Sequence, residues 1–169
     1  IPETWMDNTD VADYVQEHGQ YAYFYFSTTS GKKKRSGGGK QEKDVDGVTY
    51  CFDSYGIMYP GWVKMSSTVP EIKGYRYFYR TETEKDKKYI PGEKVESAWL
   101  KLEGPPDASG SGQKEWYYFD NTGKPVCGGE DSYEIKKIGD GYYIFDMFGA
   151  AQYGLVEVKG DFYYCGAED

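Results

Sequence analysis

The feature that most constrains this chain is a short unit that recurs with fixed internal spacing. Phe52 is followed by Asp53 and then, at set offsets, by Gly56, Gly61 and Trp62. Phe145 is followed at the same offsets by Asp146, Gly149, Gly154 and Leu155. Phe119 has Asp120, Gly123 and Gly128, with Gly129 where the apolar residue would stand. An aromatic run precedes each anchor: "TYCF" at 49–52, "WYYF" at 116–119 and "YYIF" at 142–145. Looser copies occur as "YAYFYF" at 21–26, "YRYFY" at 75–79 and "FYYC" at 162–165. Repetition of this kind specifies small units stacked on one another rather than one conventional core.

Each unit reads as a β-hairpin. The aromatic run has strand propensity, and the Asp-x-x-Gly after it is turn chemistry, with Asp bonding its own backbone and Gly taking positive φ. The expected partner strand lies beyond that turn, as at Ile57-Met58-Tyr59, and Gly61-Trp62 opens the next unit. The same turn assignment covers Asp53, Asp120 and Asp146. A lone hairpin is marginal in water, so stacking must bury both faces, which accounts for aromatics at consecutive positions. Composition agrees. Aromatic residues are 18% of the chain, 19 of them Tyr, and there are 22 Gly, so rings supply the burial that aliphatic side chains would supply in a thick globule.

The expected architecture is therefore all-β, a solenoid of stacked hairpins over 19–169 with a short N-terminal capping helix in 1–18. Val11, Tyr14, Val15 and His18 fall at helical spacing, with Asp7 or Thr9 as N-cap and Gly19 as stop. Insertions are expected near 31–47, 80–98 and 103–114, where Gly, Lys, acidic residues or a Pro/Ser/Gly run replace the repeat.

Charge and chemistry exclude several function classes. A formal charge of −8 disfavours nucleic acid, and the basic run Lys32-Lys33-Lys34-Arg35 sits beside three glycines as a solvated loop or, less simply, a polyanion contact. No apolar run approaches the ~18–20 residues that cross a bilayer as a helix, so membrane insertion is not expected. Cys51, Cys127 and Cys165 are odd in number and widely spaced, which suits neither a disulfide framework nor zinc. The single histidine, His18, has no visible metal or triad partner, and neither a nucleophile elbow nor a phosphate loop is present. The 28 acidic residues do not by their number identify a carboxylate pair for a small hydrolase. No enzyme, cofactor or metal is expected.

Gly61-Trp62-Val63-Lys64, Trp116-Tyr117-Tyr118-Phe119-Asp120 and the segment Gly47–Met58 resemble the cell-wall-binding repeats of Gram-positive bacteria, the group of choline-binding, glucan-binding and clostridial-toxin repeats. The resemblance spans roughly residues 19–169. It implies a hairpin solenoid on a secreted, cell-wall-associated protein; no signal peptide is visible from Ile1, so the sequence reads as a processed or trimmed fragment. It also implies a non-catalytic module that binds a wall polymer, a surface carbohydrate or a choline-type ligand in aromatic clusters between hairpins. The alternative is a structural spacer or protein-interaction solenoid whose ligand sites have degenerated.

The resemblance gives Trp62, Trp99, Trp116, Tyr118, Tyr142, Tyr50 and Met58 as candidate ligand contacts; packing between hairpins is the other reading of Trp62, Trp99, Trp116 and Met58. The family's cage uses an aromatic three residues before the anchor. That position holds Trp116 and Tyr142 in two units, but Thr49 before Phe52 and, taking Tyr79 as anchor, Arg76.

Overall fold

A computed structural model describes residues 24–27, 29–68, 72–80, 92–106 and 112–166 of the 169-residue chain. The capping helix expected within 1–18 lies outside the described residues. Among the described residues ten strands form five two-stranded antiparallel sheets, each made of neighbours in sequence. They are β1 (Gln41–Val45) with β2 (Val48–Phe52), β3 (Gly61–Lys64) with β4 (Tyr75–Phe78), β5 (Ala98–Glu103) with β6 (Lys114–Phe119), β7 (Glu134–Ile138) with β8 (Gly141–Phe145), and β9 (Gly154–Val158) with β10 (Asp161–Cys165). Two compact units contain them, Ile1–Tyr59 and Pro60–Asp169.

The all-β hairpin reading holds, with one correction to how a hairpin is built. Each aromatic strand pairs along its length with the strand before it. β2 pairs with β1 from Val45↔Val48 to Gln41↔Phe52, and Asp46 and Gly47 between them both have positive φ, the geometry of a type I′ turn. The chain beyond Asp53 returns only a single bridge, Phe52↔Met58, and one amide bond, Tyr59 N–H to the Cys51 carbonyl at 3.0 Å. The reason is the Asp carboxylate. Asp53 Oδ1 accepts the Ile57 amide at 2.8 Å, which folds the following residues into a compact loop too short to run as a strand.

That loop recurs. Asp120 Oδ1 accepts the Thr122 and Lys124 amides at 2.8 and 2.9 Å, and Asp146 Oδ1 accepts the Phe148 and Ala150 amides at 2.9 Å each. The glycine of each Asp-x-x-Gly donates its N–H to that Asp's carbonyl and has positive φ at Gly56, Gly123 and Gly149. At Gly56 a Cβ would stand 2.7 Å from the Lys34 carbonyl oxygen, so sterics and φ together require glycine.

The single bridge after the aromatic strand marks five equivalent anchors: Phe26, Phe52, Phe78, Phe119 and Phe145. This moves the fourth-strand anchor from Tyr79 to Phe78, because Phe78 makes the bridge to Lys94 and is fully buried. The residue three before it is then Tyr75, an aromatic, and Arg76 leaves the cage position. The insertion expected near 31–47 ends in a repeat strand, since Gln41–Val45 is β1. The segment 103–114 joins the two strands of one hairpin, Glu103 closing β5 and Lys114 opening β6.

In the unit Pro60–Asp169 neighbouring hairpins touch through buried and half-buried side chains. Leu100, Leu102, Tyr117 and Phe119 of β5 and β6 form a buried cluster with Tyr77 of β4, against which Trp62 of β3 packs. Trp99, on the opposite face of β5, meets Tyr143 and Phe145 of β8. Ile144 of β8 clusters with Val156 and Val158 of β9. Alternation along β5 and β6 puts Leu100 and Tyr117 on one face of that hairpin and Trp99 on the other. In the unit Ile1–Tyr59, Val45, Phe52 and Met58 form a separate cluster with Tyr25 and Tyr50 packed on it.

Asp120 offers a pH test of the turn. Burial raises its pKa, but the Thr122 hydroxyl, the Lys124 and Thr122 amides and the charge of Arg76 outweigh burial and hold it below the ordinary 3.8. A lowered folded-state pKa contributes stability above 3.8 that is lost as pH falls through the folded-state value. Asp120→Asn should therefore lower the melting temperature at pH 7, and the gap between the two proteins should close as pH is lowered past 3.8; thermal melts across pH 2–7 measure it.

Candidate ligand-binding cleft

The gaps between hairpins of the unit Pro60–Asp169 differ in how far the protein's own side chains fill them. The gap between β3–β4 and β5–β6 is closed. Trp62 lies edge-on to Tyr77 and Tyr117 at centroid distances of 5.2 Å, and 5.5 Å from Phe119. Tyr75 stands edge-on at 6.3 Å. The Trp62 indole Nε1 donates to the Glu103 carbonyl at 2.8 Å, so the half-buried ring's one polar atom is satisfied. Tyr117 is buried here. Burial first, then the negative charges of Asp146 and Glu115, push its phenol pKa up to about 12, so it stays neutral.

The gaps that follow open into one cleft of about 890 Å³. β5 and β6 supply Trp99 and Trp116, β8 supplies Tyr142 and Tyr143 with Ile144, and β10 supplies Tyr163, Tyr164 and Cys165. Ile135 and the connector residues Ala151, Gln152 and Tyr153 complete the wall. Seven aromatic side chains thus line the cleft, and none of its lining residues is Asp, Glu, Lys or Arg. Trp99 is fixed by its neighbours. It stacks on Phe145 at 5.6 Å with an interplanar angle of 22°, and touches Tyr143 at 4.7 Å and Tyr118 at 5.2 Å. Trp116 is anchored through its backbone, whose carbonyl accepts the Ala151 amide at 2.9 Å. Tyr142 and Tyr164 are 71% and 79% exposed, which leaves aromatic faces open to a ligand.

Ala151, Gln152 and Tyr153 also border a second, polar cleft of about 500 Å³ that includes Glu115, Tyr117 and Asp146. Both Asp146 oxygens are engaged there: Oδ1 in the turn, and Oδ2 by the Gln152 side-chain amide at 3.2 Å. Burial pushes the Asp146 carboxyl pKa up against the turn amides, with the charge of Glu115 adding to the rise. Among the described residues no group of three or more His, Cys, Asp or Glu side chains could hold a metal ion.

Of the residues the sequence singled out, Trp99, Trp116 and Tyr142 line this cleft and Tyr118 supports it against Trp99. Trp62 lies in the closed gap. Tyr50 and Met58 belong to the other unit, where Met58 is buried in the cluster with Val45 and Phe52, and the Tyr50 ring is 6.3 Å from that of Phe52. Sequence reasoning passed over Tyr143, Tyr153, Tyr163 and Tyr164. The signal for three of them was present in the doubled tyrosines 142–143 and 163–164.

A scan against protein-family models and a search of curated proteins find no match. Solved structures do match. CbpJ from Streptococcus pneumoniae superposes with a TM-score of 0.54 at 20% identity, over 86% of this chain and 38% of that one. Choline-binding protein F from the same organism, in the presence of a peptidoglycan analogue, gives 0.53 at 20%, over 86% and 36%. This chain has the choline-binding-repeat fold. A further structure, CbpF in complex with ipratropium, gives 0.54 at 21% identity over 87% of this chain and 50% of that one. The chain thus spans between about a third and a half of the length of these structures.

The closed and open gaps predict opposite mutational costs. Trp62→Ala removes a ring packed on four others and should lower unfolding free energy by about 3 kcal/mol. Tyr142→Ala, on an exposed ring, should cost under about 1 kcal/mol. Urea denaturation of the two variants checks the contrast.

Proposed function

We propose that this chain is a non-catalytic binding module of a secreted, cell-wall-associated protein, built as a hairpin solenoid, and that it attaches to its target through the aromatic cleft of β5–β10. The observation that carries the reading is an open cleft walled by seven aromatic rings and no charged side chain. Two ligand chemistries suit such a wall. A quaternary ammonium of the choline type gains about 2 kcal/mol or more of cation–π attraction when desolvated over several ring faces. The apolar face of a sugar stacks on the same rings, and the adjoining Glu115, Tyr117 and Gln152 offer partners for its hydroxyls.

The volume falls within the usual range for small-ligand sites. The similarity to choline-binding protein F with a peptidoglycan analogue favours the wall as the target.

The spacer reading keeps support from one gap only. Between β3–β4 and β5–β6, Trp62 fills the space a ligand would take and satisfies its own N–H on Glu103. That stretch acts as structure, and the open gaps after it carry the binding.

Choline titrated into the protein while Trp fluorescence is followed should give a saturable change with a Kd in the millimolar range, about −4 kcal/mol. The double variant Trp99→Ala, Trp116→Ala should lose it, along with any peptidoglycan pull-down or glycan-array signal. A parent protein that responds to neither choline nor any polymer would sink the proposal.

A further inference from the structure

On the unit Pro60–Asp169 lies a third cleft, of about 570 Å³, whose chemistry is unlike that of the aromatic one. Its wall contains Lys73, Arg76, Lys124 and Lys136 against the two carboxylates Asp120 and Glu134. The chain as a whole runs the other way, with 28 acidic residues to 20 basic, so a local excess of cations goes against its composition.

The four cations come from separate elements. Lys73 sits in the 3₁₀ turn Ile72–Gly74 before β4, Arg76 in β4, Lys124 in the loop after β6, and Lys136 in β7. That convergence is set by the fold. The Met65 amide donates to the Gly74 carbonyl at 2.8 Å, the Asp120 turn fixes Lys124 through its own amide at 2.9 Å, and the β7–β8 register places Lys136 opposite Tyr143.

Three of the cations are uncommitted. Lys73, Lys124 and Lys136 form no ion pair among the described residues. Asp120 and Glu134 offset two of the four positive charges, which leaves an excess of two. Four like charges facing one cleft repel one another, and that repulsion is relieved when an anion enters.

We propose that this cleft binds a phosphate group, as a second contact point distinct from the aromatic cleft. An excess of two positive charges matches a phosphate monoester or a pair of phosphodiesters; a single carboxylate would neutralise half of it. Arg76 adds its charge from β4, with its Nη1 donating to the Tyr75 carbonyl at 2.7 Å, and the exposed lysines supply point charges around it. The Ser66 hydroxyl adds a neutral polar partner at the rim.

The site is tested by calorimetric titration of the full chain at low ionic strength with glycerol phosphate, glucose 1-phosphate and tripolyphosphate, with citrate as the polycarboxylate control. At least one phosphate ester and tripolyphosphate should bind, with affinity falling as salt is raised. The double variant Lys73→Ala, Lys136→Ala should weaken that binding at least tenfold. All of its substituted residues are exposed, so its melting temperature reports whether the fold is kept.

The control pair Lys137→Ala, Lys159→Ala lies outside the cleft and should bind as the parent does. Glycerol phosphate and glucose 1-phosphate, compared with each other, separate a polyol phosphate from a sugar phosphate. Absence of phosphate binding, equal weakening by the control pair, or citrate binding as tightly as tripolyphosphate would each overturn the assignment. The choline response of the Lys73→Ala, Lys136→Ala variant should be that of the parent, so this site and the aromatic cleft can fail independently.

Discussion

Contact between aromatic rings of successive hairpins is the interaction on which the unit Pro60–Asp169 depends. A two-stranded sheet has too little apolar surface to hold itself together in water. Here every sheet is two-stranded, so the missing burial has to come from the next hairpin. Trp62 reaching across to Tyr117 and Phe119, and Trp99 reaching across to Tyr143 and Phe145, provide it. Burying one such ring is worth about 2–3 kcal/mol, and well-oriented pairs add about 0.5–1.5 kcal/mol each. The anchors Phe78, Phe119 and Phe145 add fully buried rings at the point where each chain leaves its strand.

The same requirement produces the cleft. Where the next hairpin brings large rings close, as at Trp62, the gap closes and the half-buried Trp packs against the core. In β7 to β10, where β7 and β10 are exposed along nearly all their length, the strands meet without filling the space between them. The rings that would have packed are left lining an opening. Packed and cleft-lining aromatics therefore occupy equivalent positions in successive repeats, and what separates Trp62 from Trp99 is the content of the neighbouring gap.

Much of the fold was legible because its constraints are local. Asp followed three residues later by Gly specifies a turn, and the carboxylate bonds at Asp53, Asp120 and Asp146 are the physical content of that signal. Gly61-Trp62 opening a hairpin followed from the same spacing. Hairpin pairing was assigned to the wrong side of the aromatic strand, because the strands before it, such as Gln41–Val45 and Glu134–Ile138, are charged and carry little strand signal. Their pairing is set by the turn and by burial on the aromatic partner. The anchor at Phe78 was displaced by one residue because Phe78 and Tyr79 are adjacent aromatics, and only the bridge to Lys94 separates them. The candidate site was read in part: Trp99, Trp116 and Tyr142 meet, whereas Trp62, Tyr50 and Met58 have the same chemistry in gaps and clusters that their neighbours close. The basic cleft had no sequence signature, since its cations are scattered from Lys73 to Lys136 and only the stacking of hairpins gathers them.

The central claim is that the open aromatic cleft, and not the closed gap at Trp62, is where ligand is held. A crystal structure of the chain grown with choline tests it most directly. The account predicts the ammonium group bound between Trp99 or Trp116 and the tyrosines of β8 and β10, with the packing around Trp62 unchanged. Choline bound instead in the gap beside Trp62, with that ring displaced from Tyr117, would contradict it.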